Sequence, residues 1–359
     1  EPDFDTPEDI KSAAKNALDQ NLTHYTPVPA YMEVREAISK KLKRDNQLDY
    51  APSQIVVSTG AKQSIANVVL SLINEGDEVI LPAPYWVSYV EVVKLAGGIP
   101  VSIETEVADD FKINPQQLES AISAKTKMII YSSPCNPSGS VYTKDELEGL
   151  ARVIAKNQNL VVISDEIYEY INYIGKHESI AQFEDVRDQV IIVNGVSKGY
   201  AMTGWRVGYI AAPQWIADAA IKIQGQITSA TCSIAQMATK WAVEKNPADL
   251  TYMLDAFKSR KKIVIEKLND IEGVICNEPK GAFYVFPDFS AYFGKSYGEN
   301  TIHSASDLSL YLLTEAHVAT VGGDAFGQPK CIRISFATSE ENLVKAIDRI
   351  ANALYKLTD

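Results

Sequence analysis

The chain has 359 residues, 46% of them hydrophobic, and a formal net charge of −12. Its length predicts two domains, and its acidity argues against nucleic-acid binding, which needs a basic face. The four cysteines include no CxxC pair, the four histidines lack metal-ligand spacing, and no apolar run reaches the length of a membrane span. We therefore expect a cytoplasmic protein without a signal peptide, a metal site or a membrane partner.

Apolar strands alternate with amphipathic helices through most of the chain. The strands are predicted at residues 54–58, 78–81, 127–132, 160–164 and 190–194. Residues 62–73 carry apolar side chains at helical spacing, and Thr143 and Glu146 form a capping box that opens a helix to about residue 156. This alternation implies mainly parallel pairing with helices on both faces, the doubly wound α/β class.

The pattern changes beyond about residue 270. Residues 282–286 and 332–337 are strand-like, and residues 338–341 start a final helix. A long helix near 249–268 would connect the two parts. We predict a large domain over residues 13–270 and a smaller α+β domain formed by residues 1–12 together with 271–359.

Residues suited to ligand binding follow the first predicted strands, and ligands bind beyond the carboxyl ends of parallel strands. Gly60, Ala61 and Lys62 open a helix whose amide groups and dipole favour a phosphate, although such a turn is commonly only a tight connection. Trp86 follows the next strand and can stack on a planar ring, although a lone tryptophan is more often a packing residue.

Polar side chains also follow the next two strands. Asn136 lies in a loop rich in turn formers, where it either bonds a ligand oxygen or serves the turn. Asp165 ends an apolar strand, where an unpaired carboxylate is costly, so it needs a cationic partner such as a protonated pyridine nitrogen. Tyr168, three residues later, can project toward the same space.

The segment after residues 190–194 presents Lys198 on an irregular loop. Arg206 lies eight residues later, between Gly204 and Gly208, which let backbone approach a ligand closely. An unprotonated lysine that attacks an aldehyde and an arginine that holds a phosphate fit this segment. For an isolated Ser-Lys pair, a surface lysine and a salt-bridged arginine are the alternative.

Residues 331–337 alternate with period two, so that Arg333 lies on the face opposite Ile332 and Ile334. Composition alone favours a solvent-facing arginine on a half-exposed strand.

In this order, the motifs resemble those of pyridoxal-phosphate-dependent class I aminotransferases of the aspartate aminotransferase type, over nearly the whole chain. They are a GxK turn, PYW, S-x-x-NP-x-G, DE-x-Y, SK and R-x-S. The resemblance implies the two-domain pyridoxal-phosphate fold type I, with a large, mainly parallel sheet flanked by helices.

The resemblance also implies how the cofactor, pyridoxal 5′-phosphate, is held. Lys198 would form a Schiff base with it, Asp165 would pair with its ring nitrogen, and Trp86 would stack on its ring. Its phenolic oxygen and its phosphate would be bound by two further groups of residues: Asn136 and Tyr168 for the oxygen; Gly60, Ala61, Lys62, Ser197 and Arg206 for the phosphate. Tyr25 matches a tyrosine that reaches the phosphate of a neighbouring subunit, which implies a homodimer with shared sites.

For the substrate, the resemblance implies that Arg333 binds the α-carboxylate through a bidentate fork, beside Trp86 and Asn136. Lys62 matches a bacterial subgroup in which this lysine meets the distal carboxylate, although a solvated lysine at a helix start is the alternative. The predicted reaction is a ping-pong exchange of the amino group between L-aspartate and 2-oxoglutarate, giving oxaloacetate and L-glutamate. Lys198 would move the α-proton.

Three alternatives to this reaction remain. They are a glutamate/aspartate-prephenate or aromatic aminotransferase, a β-lyase or decarboxylase on the same fold, and a non-catalytic regulatory domain of aminotransferase type. The presence of Lys198 and Arg333 argues against the last of these.

Two features depart from the family pattern. Many relatives have a serine three residues before the Schiff-base lysine, where this chain has Gly195, so one hydroxyl contact to the phosphate is absent and Ser197 would partly replace it. In the family an N-terminal helix and a short strand also precede the stretch that starts at Glu1. We therefore expect a few dozen further residues before it.

Overall fold

A computed structural model describes residues 1–298 and 300–358. Within these residues, seven strands form the main sheet. In chain order they are β1 (Ile55–Ser58), β2 (Glu78–Pro82), β3 (Ile99–Ile103), β4 (Thr126–Ser132), β5 (Val161–Asp165), β6 (Val190–Gly195) and β7 (Gly208–Ala211). Their order across the sheet is β1-β7-β6-β5-β4-β2-β3. β7 runs antiparallel to both of its neighbours, and the other pairs are parallel.

Helices alternate with the strands of the main sheet and continue beyond them in the chain as far as Tyr355. Their bounds are α1 (Glu8–Asp19), α2 (Met32–Lys41), α3 (Ala61–Leu72), α4 (Ser88–Leu95), α5 (Pro115–Ala121), α6 (Lys144–Ala155), α7 (Gln214–Ile227), α8 (Ser233–Glu244), α9 (Thr251–Asn269), α10 (Ala305–Glu315) and α11 (Glu340–Tyr355). In the described part of the chain, no helix combines the length and apolarity needed to cross a bilayer.

The main sheet is buried on both faces, as parallel sheets are. On β4, Met128 and Ile130 pack into one core, which also contains side chains of α3, α4 and α7. Ile129 and Tyr131 point the opposite way and join a second core with α6. The predicted doubly wound arrangement is therefore confirmed. β3 and β7 are additional to the predicted strands, because β3 carries a proline and β7 is short and begins with glycine.

The predicted helix starts are confirmed by their capping bonds. Thr143 Oγ1 accepts from the Glu146 amide at 3.3 Å, and Glu146 Oε2 accepts from the Thr143 amide at 2.7 Å. Ser339 Oγ caps α11 by accepting from the Asn342 amide at 3.3 Å. α9 is the predicted long helix.

A second, smaller sheet follows α9. The remaining strands are β8 (Tyr284–Val285), β9 (Ser296–Tyr297), β10 (Asn300–Thr301), β11 (Val321–Gly322) and β12 (Ile332–Ser335). β11, β12 and β8 form one antiparallel sheet, with Ser335 opposite Tyr284. β8 is shorter than the predicted 282–286, since Ala282 has a positive φ of 54° that interrupts extended backbone.

The N-terminal residues lie against α9. The Asp3 carboxylate accepts two hydrogen bonds from the Arg260 guanidinium, at 2.6 and 2.9 Å, and the Phe4 ring meets the Phe257 ring edge-on at 5.5 Å. These contacts join the first residues to the helix that precedes the smaller sheet. The domain boundaries at residues 12 and 270 stay a prediction.

Candidate active site

One cavity of about 260 Å³ opens at the carboxyl ends of the main-sheet strands. It is lined by Ala61, Lys62, Trp86, Asn136, Asp165, Ile167, Tyr168, Ser197, Lys198, Thr203, Arg206, Tyr284 and Arg333. Most of the residues that the sequence singled out therefore meet in one place, although they come from six separate segments of the chain.

Two predicted residues lie outside this lining. Gly60 sits directly behind it, against the Arg206 side chain. Tyr25 is 99% exposed, in the loop before α2, and does not line the cavity of its own chain. Its role in the site of a neighbouring subunit stays a prediction.

Lys198 is partly buried on the loop that follows β6. Its Nζ lies 5.9 Å from the Tyr168 ring centroid and 5.8 Å from that of Phe283. Burial lowers the pKa of the Lys198 amine, and the positive charges of Arg206 and Arg333 lower it further, against the opposing effect of Glu1 and Asp165. The amine thus loses its proton more easily than a surface lysine, as a nucleophile must.

Asp165 is buried at the end of β5, with 4% exposure. Its Oδ2 accepts a hydrogen bond from the Tyr89 hydroxyl at 2.7 Å, and its Oδ1 accepts from the Ile167 amide at 3.3 Å. Burial raises the pKa of Asp165 to about 6. Both donors are neutral, and the positive charge of the Lys198 amine lowers the pKa of this carboxyl too little to offset burial. The site therefore suits a cationic ligand group such as a protonated ring nitrogen.

The start of α3 and Arg206 form the opposite end of the cavity. Gly60 has a φ of 86°, and its carbonyl oxygen accepts hydrogen bonds from the Gln63 and Ser64 amides. The amides of Ala61 and Lys62 precede these two in the first turn of α3, where amides have no acceptor within the helix. Arg206 has a φ of 56°, and its Nη1 donates to the Thr203 carbonyl at 2.9 Å. A helix terminus and a guanidinium beside it favour a phosphate group.

Arg333 reaches the cavity from β12. Its Nη1 donates to Asn136 Oδ1 at 2.9 Å, and its guanidinium carbon lies 4.9 Å from the ring centroids of both Tyr284 and Phe326. These contacts hold the guanidinium over the cavity, so the alternative of a solvent-facing arginine does not apply. A fixed guanidinium of this kind matches a carboxylate.

Lys62 and Trp86 lie side by side at the cavity wall. The Lys62 side chain is exposed, and its Nζ lies 4.9 Å from the Trp86 ring centroid. The lysine therefore borders the cavity as well as the solvent.

The sequence interpretation missed two tyrosines of the site. Tyr89 is fully buried on α4 and bonds Asp165, and Tyr284 lines the cavity from β8. Tyr284 belongs to a segment predicted as a strand, but neither tyrosine carries a motif that separates it from a packing residue.

The departure at Gly195 has a steric reason. A Cβ at this position would lie 2.8 Å from the Val207 carbonyl oxygen and 2.9 Å from the Gly208 Cα, because β6 and β7 pair closely here. A serine does not fit this backbone, whereas Ser197 lines the cavity.

Comparison with known proteins gives consistent matches. The model of the family "Aminotransferase class I and II" matches residues 1–350. A bifunctional aspartate aminotransferase and glutamate/aspartate-prephenate aminotransferase of Petunia hybrida is 47% identical over 99% of this chain and 75% of its own length. An aspartate/prephenate aminotransferase of Nitrosomonas europaea is 43% identical over 99% and 90%. The crystal structure of the Rhizobium meliloti aspartate aminotransferase superimposes with a TM-score of 0.97 at 39% identity, covering 100% of this chain and 90% of that one.

Proposed function

The chain belongs to the class I and II aminotransferase family, and from this premise we propose that it exchanges the amino group between L-aspartate and 2-oxoglutarate, yielding oxaloacetate and L-glutamate. The family and the pyridoxal-phosphate fold type I predicted from the sequence are confirmed. The observation that carries the proposal is the single cavity that joins Lys198, Asp165 and Arg333 with Lys62 at its wall.

The cavity fits the family's cofactor, pyridoxal phosphate. The buried Asp165 suits its ring nitrogen, the α3 terminus and Arg206 suit its phosphate, and Lys198 is the amine that would hold it covalently. Trp86 would cover its ring, while Asn136 and Tyr168 would bond its phenolic oxygen, and Ser197 would add a phosphate contact. The cofactor supplies an electron sink and a carrier for the amino group.

The substrate would be held at both ends. Arg333 would bind the α-carboxylate, since Asn136 and the Tyr284 and Phe326 rings already orient its guanidinium. Lys62, over the Trp86 ring, would bind the second carboxylate of aspartate or glutamate. Arg333 and Lys62 would thus each bind one carboxylate, which would favour substrates with two carboxylates.

Proton transfer would fall to the Lys198 amine. Its lowered pKa favours the neutral form, so Nζ can accept the proton from the substrate α-carbon and then release it. Asp165 would remain ionised beside the protonated ring nitrogen and stabilise that charge throughout.

We further propose a cytoplasmic homodimer in which Tyr25 reaches the partner's phosphate site. The exposure of Tyr25 and the four free cysteines of the described chain support this assembly and this location. Prephenate is a second candidate acceptor, because two of the relatives compared above carry prephenate in their names.

Steady-state kinetics with pyridoxal phosphate test the proposal. Aspartate, glutamate, tyrosine and alanine are offered as donors, and 2-oxoglutarate and prephenate as acceptors, with Lys198→Ala as the inactive control. We expect aspartate with 2-oxoglutarate to give the highest kcat/KM. A higher kcat/KM for tyrosine or for prephenate would favour the alternative aminotransferases, and no oxaloacetate from aspartate would refute the assignment.

A further inference from the structure

Tyr284 contacts both Tyr168, which we propose binds the cofactor, and Arg333, which we propose binds the substrate carboxylate. Its hydroxyl lies 3.0 Å from the Tyr168 hydroxyl, on the turn after β5, and the two rings meet at 82° with centroids 5.9 Å apart. Its own ring lies 4.9 Å from the Arg333 guanidinium carbon. Ser335 is its partner across β8 and β12, so Tyr284 and Arg333 share one face of the smaller sheet.

Either phenol can be the donor in the hydrogen bond between them, and which one donates depends on whether Tyr168 gives its proton to a ligand. Tyr168 and Tyr284 are both buried, with 3% and 6% exposure. A phenol has one proton to donate. When Tyr168 gives its proton to a ligand oxygen, its own oxygen can only accept, and Tyr284 must then be the donor. Aligned bonds of this kind strengthen one another in a buried site.

Charged groups surround this pair on several sides. Tyr168 faces Asp165 from its own turn, the Lys198 amine from the loop after β6, and Arg333 from β12. Tyr284 faces Tyr168 and Arg333. Burial raises the pKa of both phenols, so each keeps its proton at neutral pH and can donate it.

We propose that Tyr284 is a positioning residue with two separable parts. Its hydroxyl donates to the Tyr168 oxygen and so directs the Tyr168 proton to the phenolic oxygen of the cofactor, and its ring holds the Arg333 guanidinium in place for the substrate carboxylate. This inference rests on the proposed function, because it assumes that Tyr168 donates to pyridoxal phosphate. It gives Tyr284 a role that acts through Tyr168 and Arg333.

The two parts predict different results for two substitutions. Tyr284→Phe removes only the hydroxyl, which makes Tyr168 a weaker donor and leaves the cofactor's phenolic oxygen less stabilised in its charged form. The apparent pKa at which the visible absorption of bound pyridoxal phosphate changes should then rise by about half a pH unit to one pH unit, while KM for aspartate changes less than about twofold. Tyr284→Leu also removes the ring, so KM should rise about tenfold in addition.

The test is a spectroscopic pH titration of the full-length protein loaded with pyridoxal phosphate. Wild type, Tyr284→Phe, Tyr168→Phe and the double variant form a cycle. We expect Tyr284→Phe to raise the apparent pKa in the wild-type background and to have no effect beside Tyr168→Phe, which lacks the accepting oxygen. Tyr311→Phe is the matched control, since it removes a buried tyrosine hydrogen bond to Ala353, at 2.8 Å, away from the cavity.

The outcomes separate this inference from the proposed function. Coincident titrations of wild type and Tyr284→Phe, or equal shifts in both backgrounds, would overturn it even if aspartate is a good substrate. A failure of the wild type to bind pyridoxal phosphate would overturn both. If the cycle gives the expected pattern and aspartate is not turned over, the hydrogen-bond chain stands and only the substrate assignment falls.

Discussion

Tyr89 donates a hydrogen bond of 2.7 Å to Asp165, and its ring meets the Trp86 ring edge-on at a centroid distance of 5.6 Å. One buried side chain thus contacts both the carboxylate expected at the cofactor's ring nitrogen and the indole expected on its face. The phenol donor is neutral, so it orients the carboxylate without neutralising its charge. The negative charge can therefore pair with a cationic group of the ligand, which explains why a buried aspartate ends β5.

Asp165→Asn should reduce turnover much more than substrate binding. An amide cannot stabilise a protonated ring nitrogen, and breaking a buried ion pair costs about 3–5 kcal/mol, which corresponds to roughly a hundredfold to several thousandfold loss in kcat. Tyr89→Phe keeps the carboxylate and should cost about tenfold at most. Single-turnover rates with aspartate separate the chemical step from binding, and a near-normal rate in Asp165→Asn would show that this carboxylate does not face the ring nitrogen.

Cofactor-free protein should show the cost of this carboxylate as a pH effect on stability. The pKa of Asp165 is raised from 3.8 to about 6, so the folded state holds the proton more tightly than the unfolded state. This tighter proton binding adds to the free energy of unfolding. The added stability is complete below about pH 4 and is lost as the pH rises through about 6, a change of roughly 3 kcal/mol. We therefore compare the melting temperatures of cofactor-free Asp165→Asn and wild type at two pH values. The difference, variant minus wild type, should be roughly 3–6 °C larger at about pH 8 than at about pH 4. A difference between the two proteins that does not vary with pH would contradict this.

Gly60→Ala should weaken pyridoxal phosphate binding. A methyl group there would clash with Arg206 Nη2 and lie 3.0 Å from its guanidinium carbon, so the arginine must leave the phosphate end of the cavity. Losing one charge-assisted contact predicts roughly a tenfold to hundredfold higher Kd. Gly76→Ala is the matched control, because Gly76 has a φ of 85° but open space around its Cβ position. Both variants share the backbone strain, and only Gly60→Ala should change the affinity measured by fluorescence titration.

Arg333 and Lys62 should divide substrate recognition between them. Arg333→Lys keeps the charge but loses the planar fork, so kcat/KM should fall for aspartate and alanine alike. Lys62→Ala should lower kcat/KM about one to two decades for aspartate and glutamate and little for alanine, since about 1.5–3 kcal/mol belongs to the second carboxylate.

The control for Lys62 is Lys144→Ala, another exposed lysine at a helix start. Cofactor occupancy is measured in each variant, so that a loss of pyridoxal phosphate is not mistaken for a loss of specificity. Equal losses on aspartate and alanine in Lys62→Ala would mean that Lys62 serves the phosphate turn, and the dicarboxylate assignment would be wrong.

The sequence predicts the main sheet well because its strands are short apolar runs between turn formers, as at β5 and β6. It also predicts which loops meet, since parallel strands bring residues such as Asn136, Asp165 and Lys198 to one edge. It does not predict Tyr89 or Tyr284. Tyr89 bonds a carboxylate 76 residues away and Tyr284 a phenol 116 residues away, and no local pattern encodes such pairs. The exclusion of a serine at Gly195 likewise depends on a strand pairing that the sequence does not reveal.

The most direct test of the account is to locate the cofactor on the chain. Wild-type protein loaded with pyridoxal phosphate is reduced with borohydride, digested and analysed by mass spectrometry, beside Lys198→Ala and Lys62→Ala. We predict that the wild type and Lys62→Ala carry the reduced cofactor on Lys198, and that Lys198→Ala is folded, unlabelled and inactive with aspartate. Labelling of any other lysine, or turnover of aspartate by Lys198→Ala, would contradict the account.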